Sequence, residues 1–337
     1  MLSKDNVIIV GDLSLEPSSY TSERSERAMP GTAAIKQVLT LIQPPAPPEN
    51  PVPEDDRDYG PDPVAEYVLR FDAPSTFSCS EMSEALRTIK WPTPLERPCY
   101  YVVTPSGQTT YLMSIDAPTE GVAIVAGWSL RDLDPAEFIA ASAEKLARWL
   151  SKRRFGFKAA SEISLADIET QVDRAAEIQV VAPERVECLV YLDKTEDMLD
   201  GKRVWNLLHS MGFKWGDMDC FQWADETGQS DYLIWVEVYD NQYGYAIPEY
   251  IADGRQNFAA VSFSFNPSRT PSPLHVLGEM LKAVAFFQKE TGSRVAARID
   301  GEVVDGAEQL VEAVQTLVDG LAALGVEPGS SSVCRLR

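Results

Sequence analysis

The chain has 337 residues, 45% of them apolar and 9% aromatic, enough for two or three ordinary cores and too apolar for a disordered polymer. Its 51 acidic and 30 basic residues give a net charge of −21, which disfavours nucleic acid and anionic membrane as partners and favours proteins with a basic surface. Five cysteines, with no C-x-x-C pair, point to a reducing compartment. The apolar run at 7–10 is far shorter than a signal segment, and no stretch approaches the roughly twenty apolar residues that span a bilayer, so a cytoplasmic protein is expected.

Residues 1–63 read as an arm, with a short strand at 7–10, a short helix at 33–42 and an acidic, proline-rich extended spacer at 44–63. A first domain is expected over 64–180. Its strand at 66–73 carries Tyr67, Leu69 and Phe71 on one side, and a helix follows at 80–89. Strands at 100–104, 110–115 and 122–128 lead to a long helix capped by Asp134 and opened by Pro135. A short strand at 155–157 and a helix begun by Ser164, with Asp167 three residues on, complete it.

A second domain is expected over 185–327, with 328–337 as a tail. A strand from Glu187 precedes a helix through Val204, Leu207 and Leu208, then strands at 218–223, 232–239 and 258–265. Ser272 and Pro273 open a long helix, 295–299 is a strand, and a last helix starts at Asp305 with Glu308 in the box position. Both halves thus read as strand, helix, three strands, helix, short strand, helix. Three consecutive strands between helices favour an α+β fold of two similar domains, each an antiparallel sheet with helices packed on one face.

The alternation from Met218 onward places Asp219, Phe221 and Trp223 on one side of a strand, large rings beside a carboxylate. The stretch 235–250 interleaves Trp235, Tyr239, Tyr243, Tyr245 and Tyr250 with acids. Such rings supply the large, half-polar contact area of interface hot spots, and the acids among them would steer a basic partner. The partner-binding set is therefore read as Asp217, Asp219, Glu226, Asp231 and Asp240 for steering, with Phe221, Trp223, Trp235, Tyr239, Tyr243 and Tyr245 as anchors.

Chemistry is harder to find. Two histidines, His209 and His275, lie far apart on different expected helices and do not make a nucleophilic relay or an imidazole metal site. No glycine-rich phosphate loop is present, and Asp217 and Asp219 lack a calcium-loop pattern. No catalytic residue, cofactor or metal is expected.

The stretch Gly212-Phe213-Lys214-Trp215-Gly216-Asp217-Met218-Asp219-Cys220-Phe221, with Val261-Ser262-Phe263-Ser264-Phe265-Asn266-Pro267 and the helix after it, resembles the FtsZ-binding carboxy-terminal domain of ZipA over roughly 187–325. That resemblance implies an antiparallel sheet whose open face grips a partner's peptide. ZipA proteins have a membrane anchor, not expected here, and a mainly aliphatic open face, where this chain offers Tyr191, Phe221, Trp223 and Trp235. In general character the chain also looks like bacterial immunity proteins, including those paired with type VI secretion nuclease effectors. The leading expectation is thus a non-enzymatic immunity protein that neutralises a basic toxin; the alternative is a ZipA-like adaptor for FtsZ or another division protein.

Overall fold

The computed structural model describes residues 16–18, 38–40, 60–93, 97–114, 117–131, 135–152, 156–181, 184–192, 197–216, 219–223, 233–240 and 245–336. The chain divides into two compact units, one of Met1–Pro51 with Ala182–Gly329 and one of Val52–Val181 with Ser330–Arg337.

Two short strands come first, β1 (Glu16–Ser18) and β2 (Val38–Thr40), paired antiparallel. The second falls within the expected helix at 33–42; β-branched Val38 and Thr40 suit extended backbone better than helix. The expected strand at 7–10 and most of the proline-rich spacer lie outside the described residues.

The unit of 52–181 begins with β3 (Glu66–Ser78) and α1 (Cys79–Arg87), followed by β4 (Cys99–Val103), β5 (Thr109–Tyr111) and β6 (Glu120–Ser129). After them come α2 (Ala136–Lys152), β7 (Lys158–Ala159) and α3 (Leu165–Val180). The sheet order is β5-β4-β6-β3-β7, antiparallel throughout. Tyr67, Leu69 and Phe71 are buried on one side, in register with Trp128, Ala126 and Ile124. Helix α2 packs on this side, where the Trp128 indole donates to Ser142 Oγ at 2.8 Å. Ser164 caps α3 by accepting from the Asp167 amide, whereas Asp134 lies outside the described residues. Residues 331–336, expected in a tail, form a helix, α8 (Ser331–Leu336), with Val333 and Leu336 buried in this unit.

The other unit holds β8 (Val186–Tyr191), α4 (Gly201–Ser210), β9 (Lys214–Trp215), β10 (Phe221–Trp223) and β11 (Ile234–Tyr239). It continues through α5 (Pro248–Ala252), β12 (Ala260–Phe265), α6 (Pro273–Thr291), β13 (Arg294–Ile299), β14 (Glu302–Val304) and α7 (Ala307–Ala323). Its seven strands run β14-β13-β8-β12-β11-β10-β9, antiparallel throughout. One continuous core joins Val186, Cys188, Val190, Val236, Val261 and Phe263 of the sheet to residues of α4, α6 and α7, so the helices cover one face. Fully burying such side chains contributes about 1.5–3 kcal/mol each. The fold is thus α+β, with antiparallel sheets and helices on one face of each.

Three local expectations are corrected here. The strand expected over 218–223 pairs only from Phe221: before it, the Gly216 amide donates to the Cys220 carbonyl at 3.0 Å and Asp219 sits at φ 56°, while 217–218 lie outside the described residues. Ser272 precedes α6 at φ 52° and makes no side-chain cap. At α7 the cap is Gly306 rather than Asp305, whose amide donates to Gln309 Oε1 at 2.9 Å.

The two sheets share a three-strand arrangement. In each, the first strand lies between the strand before the long helix and the strand after it, as β6-β3-β7 and β12-β8-β13. Beyond those three strands the connections differ: β9 to β12 form a simple meander, whereas β4 pairs with both β5 and β6.

Candidate partner-binding face

Register fixes which side chains of the seven-stranded sheet share the face away from the helices, because cross-strand partners project to the same side. One row runs Lys214, Gln222, Trp235, Ser264, Glu187, Arg298 and Val303. A second runs Glu237, Ser262, Leu189 and Ala296, and a third Tyr239, Ala260, Tyr191 and Arg294. The short side chains of β12, with Ser262 and Ser264 buried, therefore occupy the middle; Trp235 and Tyr239 lie on one side of them, and Tyr191 and the arginines on the other.

The charged groups on this face are tied together. Arg185, just before β8, donates from Nη2 to Glu237 Oε2 at 2.7 Å and lies 3.6 Å from Glu187 Oε1. Glu237 also accepts from the Tyr239 hydroxyl at 2.9 Å. Burial works to raise the Glu237 carboxyl, but the Arg185 guanidinium outweighs it and holds the group below the ordinary carboxylate range. The Tyr239 phenol is pushed up to about 12, by burial and then by the adjoining Glu237. Glu187, only 6% exposed, accepts from the Ser262 hydroxyl and lies 3.7 Å from Arg298 Nη1.

The sequence-derived binding set divides differently from expectation. Phe221 pairs with Val236 and Trp223 with Ile234, which turns both rings to the helix side. Phe221 is 1% exposed, edge-on to Trp205 at 5.0 Å, and Trp223 packs partly buried against the same core. The reason is the hairpin at Gly216–Cys220: it breaks the alternation that had been counted from Met218, so the strand's sides are set by its pairing with β11 instead. Asp219 is exposed in that turn, away from the strand pairing.

Trp235 and Tyr239 do lie on the open face, Tyr239 at 38% exposure. Asp240 and Tyr245 belong to the loop beyond β11. There the buried Gln256 amide donates to Asp240 Oδ2 at 2.6 Å and to the Tyr245 carbonyl at 2.8 Å, while its Oε1 accepts from the Ile247 amide. Asp240 is thereby a loop-ordering residue, and the Tyr245 ring is left exposed. Asp217, Glu226, Asp231 and Tyr243 lie outside the described residues.

Sequence reasoning passed over Arg185, Glu187, Glu237, Arg294 and Arg298. The signal was legible: Arg294, Ala296 and Arg298 alternate with apolar Val295, Ala297 and Ile299, as Glu187 and Leu189 alternate with Cys188 and Val190.

His209 stands on the helix side of this sheet. It is buried between Trp205, at 5.0 Å, and Phe221, at 5.4 Å, with neither ring nitrogen hydrogen-bonded among the described residues. Burial lowers its pKa to about 4. A neutral imidazole in an aromatic cluster is a core residue here. Among the described residues no group of three or more His, Cys, Asp or Glu is placed to hold a metal ion. No helix among them is long and apolar enough to cross a membrane.

Residues 188–317 match the family described as ZipA, C-terminal FtsZ-binding domain. The match runs from β8 into α7, so it covers the strands that build the open face. A search of the curated proteins found no match. The similarity is to a binding domain, in line with a non-enzymatic reading of this half of the chain.

Proposed function

We propose that the chain is a ZipA-like, non-enzymatic adaptor whose seven-stranded sheet binds the tail peptide of FtsZ or of a similar division filament on the face its helices leave bare. The observation that carries this reading is the match over 188–317, which spans the sheet and the helices that back it. A sheet face with small residues along its central strand and the Trp235 and Tyr239 rings beside it suits a peptide laid across the strands. Trp235 and Tyr239 are the anchors, and Asp240 keeps their neighbouring loop ordered. Five cysteines, none of them in a disulfide, support a reducing, cytoplasmic setting.

The other reading, an immunity protein that neutralises a basic toxin such as a type VI secretion nuclease, draws support from overall acidity alone. Phe221 and Trp223 do not stand beside acids on the open face, and the glutamates there are already matched to arginines.

The test is a titration of a labelled FtsZ tail peptide with the full chain and with Trp235→Ala. Saturable binding that weakens at least about tenfold in the variant is expected, the loss typical of an aromatic hot spot. No binding, or equal binding by both, would overturn the reading.

A further inference from the structure

Ser262 and Ser264 face away from the helices in the middle of the seven-stranded sheet, yet they are 0% and 3% exposed. Small side chains on a bare face that still meet no solvent are roofed by their neighbours. Strand pairing identifies the roof. Arg185 stands two residues before Glu187, so its side chain leaves on the same face. Its backbone is pinned at the turn between β13 and β14: the Arg185 amide donates to Asp300 Oδ1 at 2.8 Å and the Asp300 amide to the Arg185 carbonyl at 2.9 Å. The partner of its guanidinium, Glu237, is on β11, and β12 lies between β8 and β11. The bridge therefore crosses β12.

The register gives the crossing point. Arg185 lies one cross-strand row before Glu187, and Glu237 one row beyond it, so the path between them passes over the position of β12 level with Glu187, which is Ser264. Arg185 Nη2 ends 2.7 Å from Glu237 Oε2 and 3.6 Å from Glu187 Oε1, the oxygen that accepts from the Ser262 hydroxyl. Arg185 Nε is shut off from solvent and makes no hydrogen bond among the described residues, so one edge of the side chain is pressed onto the sheet. Glu237 in turn stands between Trp235 and Tyr239 on the same side of β11 and is hydrogen-bonded by both side chains. The tip of Arg185 thus fills the space between the two anchor rings and the serine floor.

We infer that Arg185 gates this face: its bridge to Glu237 covers the floor of β12, and a peptide seats a side chain beside Trp235 and Tyr239 only when the bridge lifts. This rests on the peptide-binding reading above and names the residue that controls entry. The bridge is suited to opening. Its partners are 41% and 30% exposed, where solvent and salt weaken an ion pair. Neither carboxylate is stranded when Arg185 leaves, because Glu187 keeps Arg298 and Ser262 while Glu237 keeps the two rings. Apparent affinity is then scaled down by the fraction of chains in which the bridge is open.

Two measurements on the full chain test this. The first needs no peptide: Ser264→Cys places a thiol on the floor, and its reaction with N-ethylmaleimide is followed at that position by mass spectrometry, with and without Arg185→Ala. Labelling at least about threefold faster without Arg185 is expected, with acceleration between about 50 and about 300 mM salt only where Arg185 is present. The second is a titration of the labelled FtsZ tail peptide with the unaltered chain, Arg185→Ala and Trp235→Ala. Binding at least about threefold tighter in Arg185→Ala is expected. Each variant is checked for native thermal unfolding, and Arg185→Gln, shorter and uncharged, replaces the alanine variant in both measurements if that one fails to fold. Equal labelling, or peptide binding that is unchanged or weaker without Arg185, would overturn the gate; where Trp235→Ala still weakens binding, the peptide-binding face stands. No peptide binding by any of these chains would overturn the peptide-binding reading and the gate with it.

Discussion

Arg335 places Nη2 2.6 Å from Oε1 of Glu66, a carboxylate 2% exposed, although the two positions lie 269 apart in the sequence. Tyr101 donates to the same carboxylate at 3.1 Å, the Asp62 amide to its other oxygen at 3.1 Å, and Ser332 to Asp62 at 2.7 Å. Burial pushes the Glu66 carboxyl up against the pull of Arg335. The carboxylate thus depends on its partners to stay charged where it is.

Removal of Arg335 should therefore be costly. Arg335→Ala strands Glu66 in the unit of 52–181, and we expect a loss of about 3 kcal/mol in urea unfolding, as for other broken buried pairs. Glu66→Gln combined with Arg335→Gln should lose less than the two single changes summed. Strict additivity would show that the pair is not coupled.

Gly127 is bound to the same site by space. A Cβ there would lie 2.6 Å from Glu66 Oε2, and that carboxylate cannot yield while three groups hold it. Gly127→Ala should cost about 2 kcal/mol, within the range for overpacked sites, and lower the thermal midpoint. An unchanged midpoint would mean that Glu66 moves freely.

His209 makes stability pH-dependent. Its folded pKa of about 4 lies below the unfolded value of about 6.5, so below the unfolded value only the unfolded chain takes up the proton. Stability from this group is complete above pH of about 6.5 and is lost progressively as pH falls toward about 4, amounting to roughly 3 kcal/mol. Urea titrations across that window should show the fall, and His209→Leu should flatten it. A slope unaltered by the substitution would assign the effect elsewhere.

The two sides of the seven-stranded sheet should answer oppositely to truncation. Phe221→Ala empties a core site between Trp205 and His209 and should cost about 3–5 kcal/mol. Tyr239→Ala, at the exposed face, should cost within about 1 kcal/mol yet weaken peptide binding about tenfold. Calorimetric unfolding beside peptide titration separates the two; a reversed pattern would overturn the assignment of faces.

Much of this protein was determined by local sequence. The alternation of Tyr67, Leu69 and Phe71, of Cys188 and Val190, and the cap at Ser164 depend on neighbours a few residues away, and each appears where periodicity places it. So does the α+β class, because strand and helix periods are properties of short windows. Tertiary structure alone decided the rest. A hairpin at Gly216–Cys220 reset the sides of β10 and sent Phe221 inward, since a strand's orientation follows its pairing partner. Likewise Arg298 of β13 comes to lie against Glu187 only because β8 and β13 pair across more than one hundred residues of chain, on the order of a whole domain length. Arg335 meets Glu66 for the same reason: charge can be counted in a sequence, but which charges share a surface is fixed by how distant segments fold together.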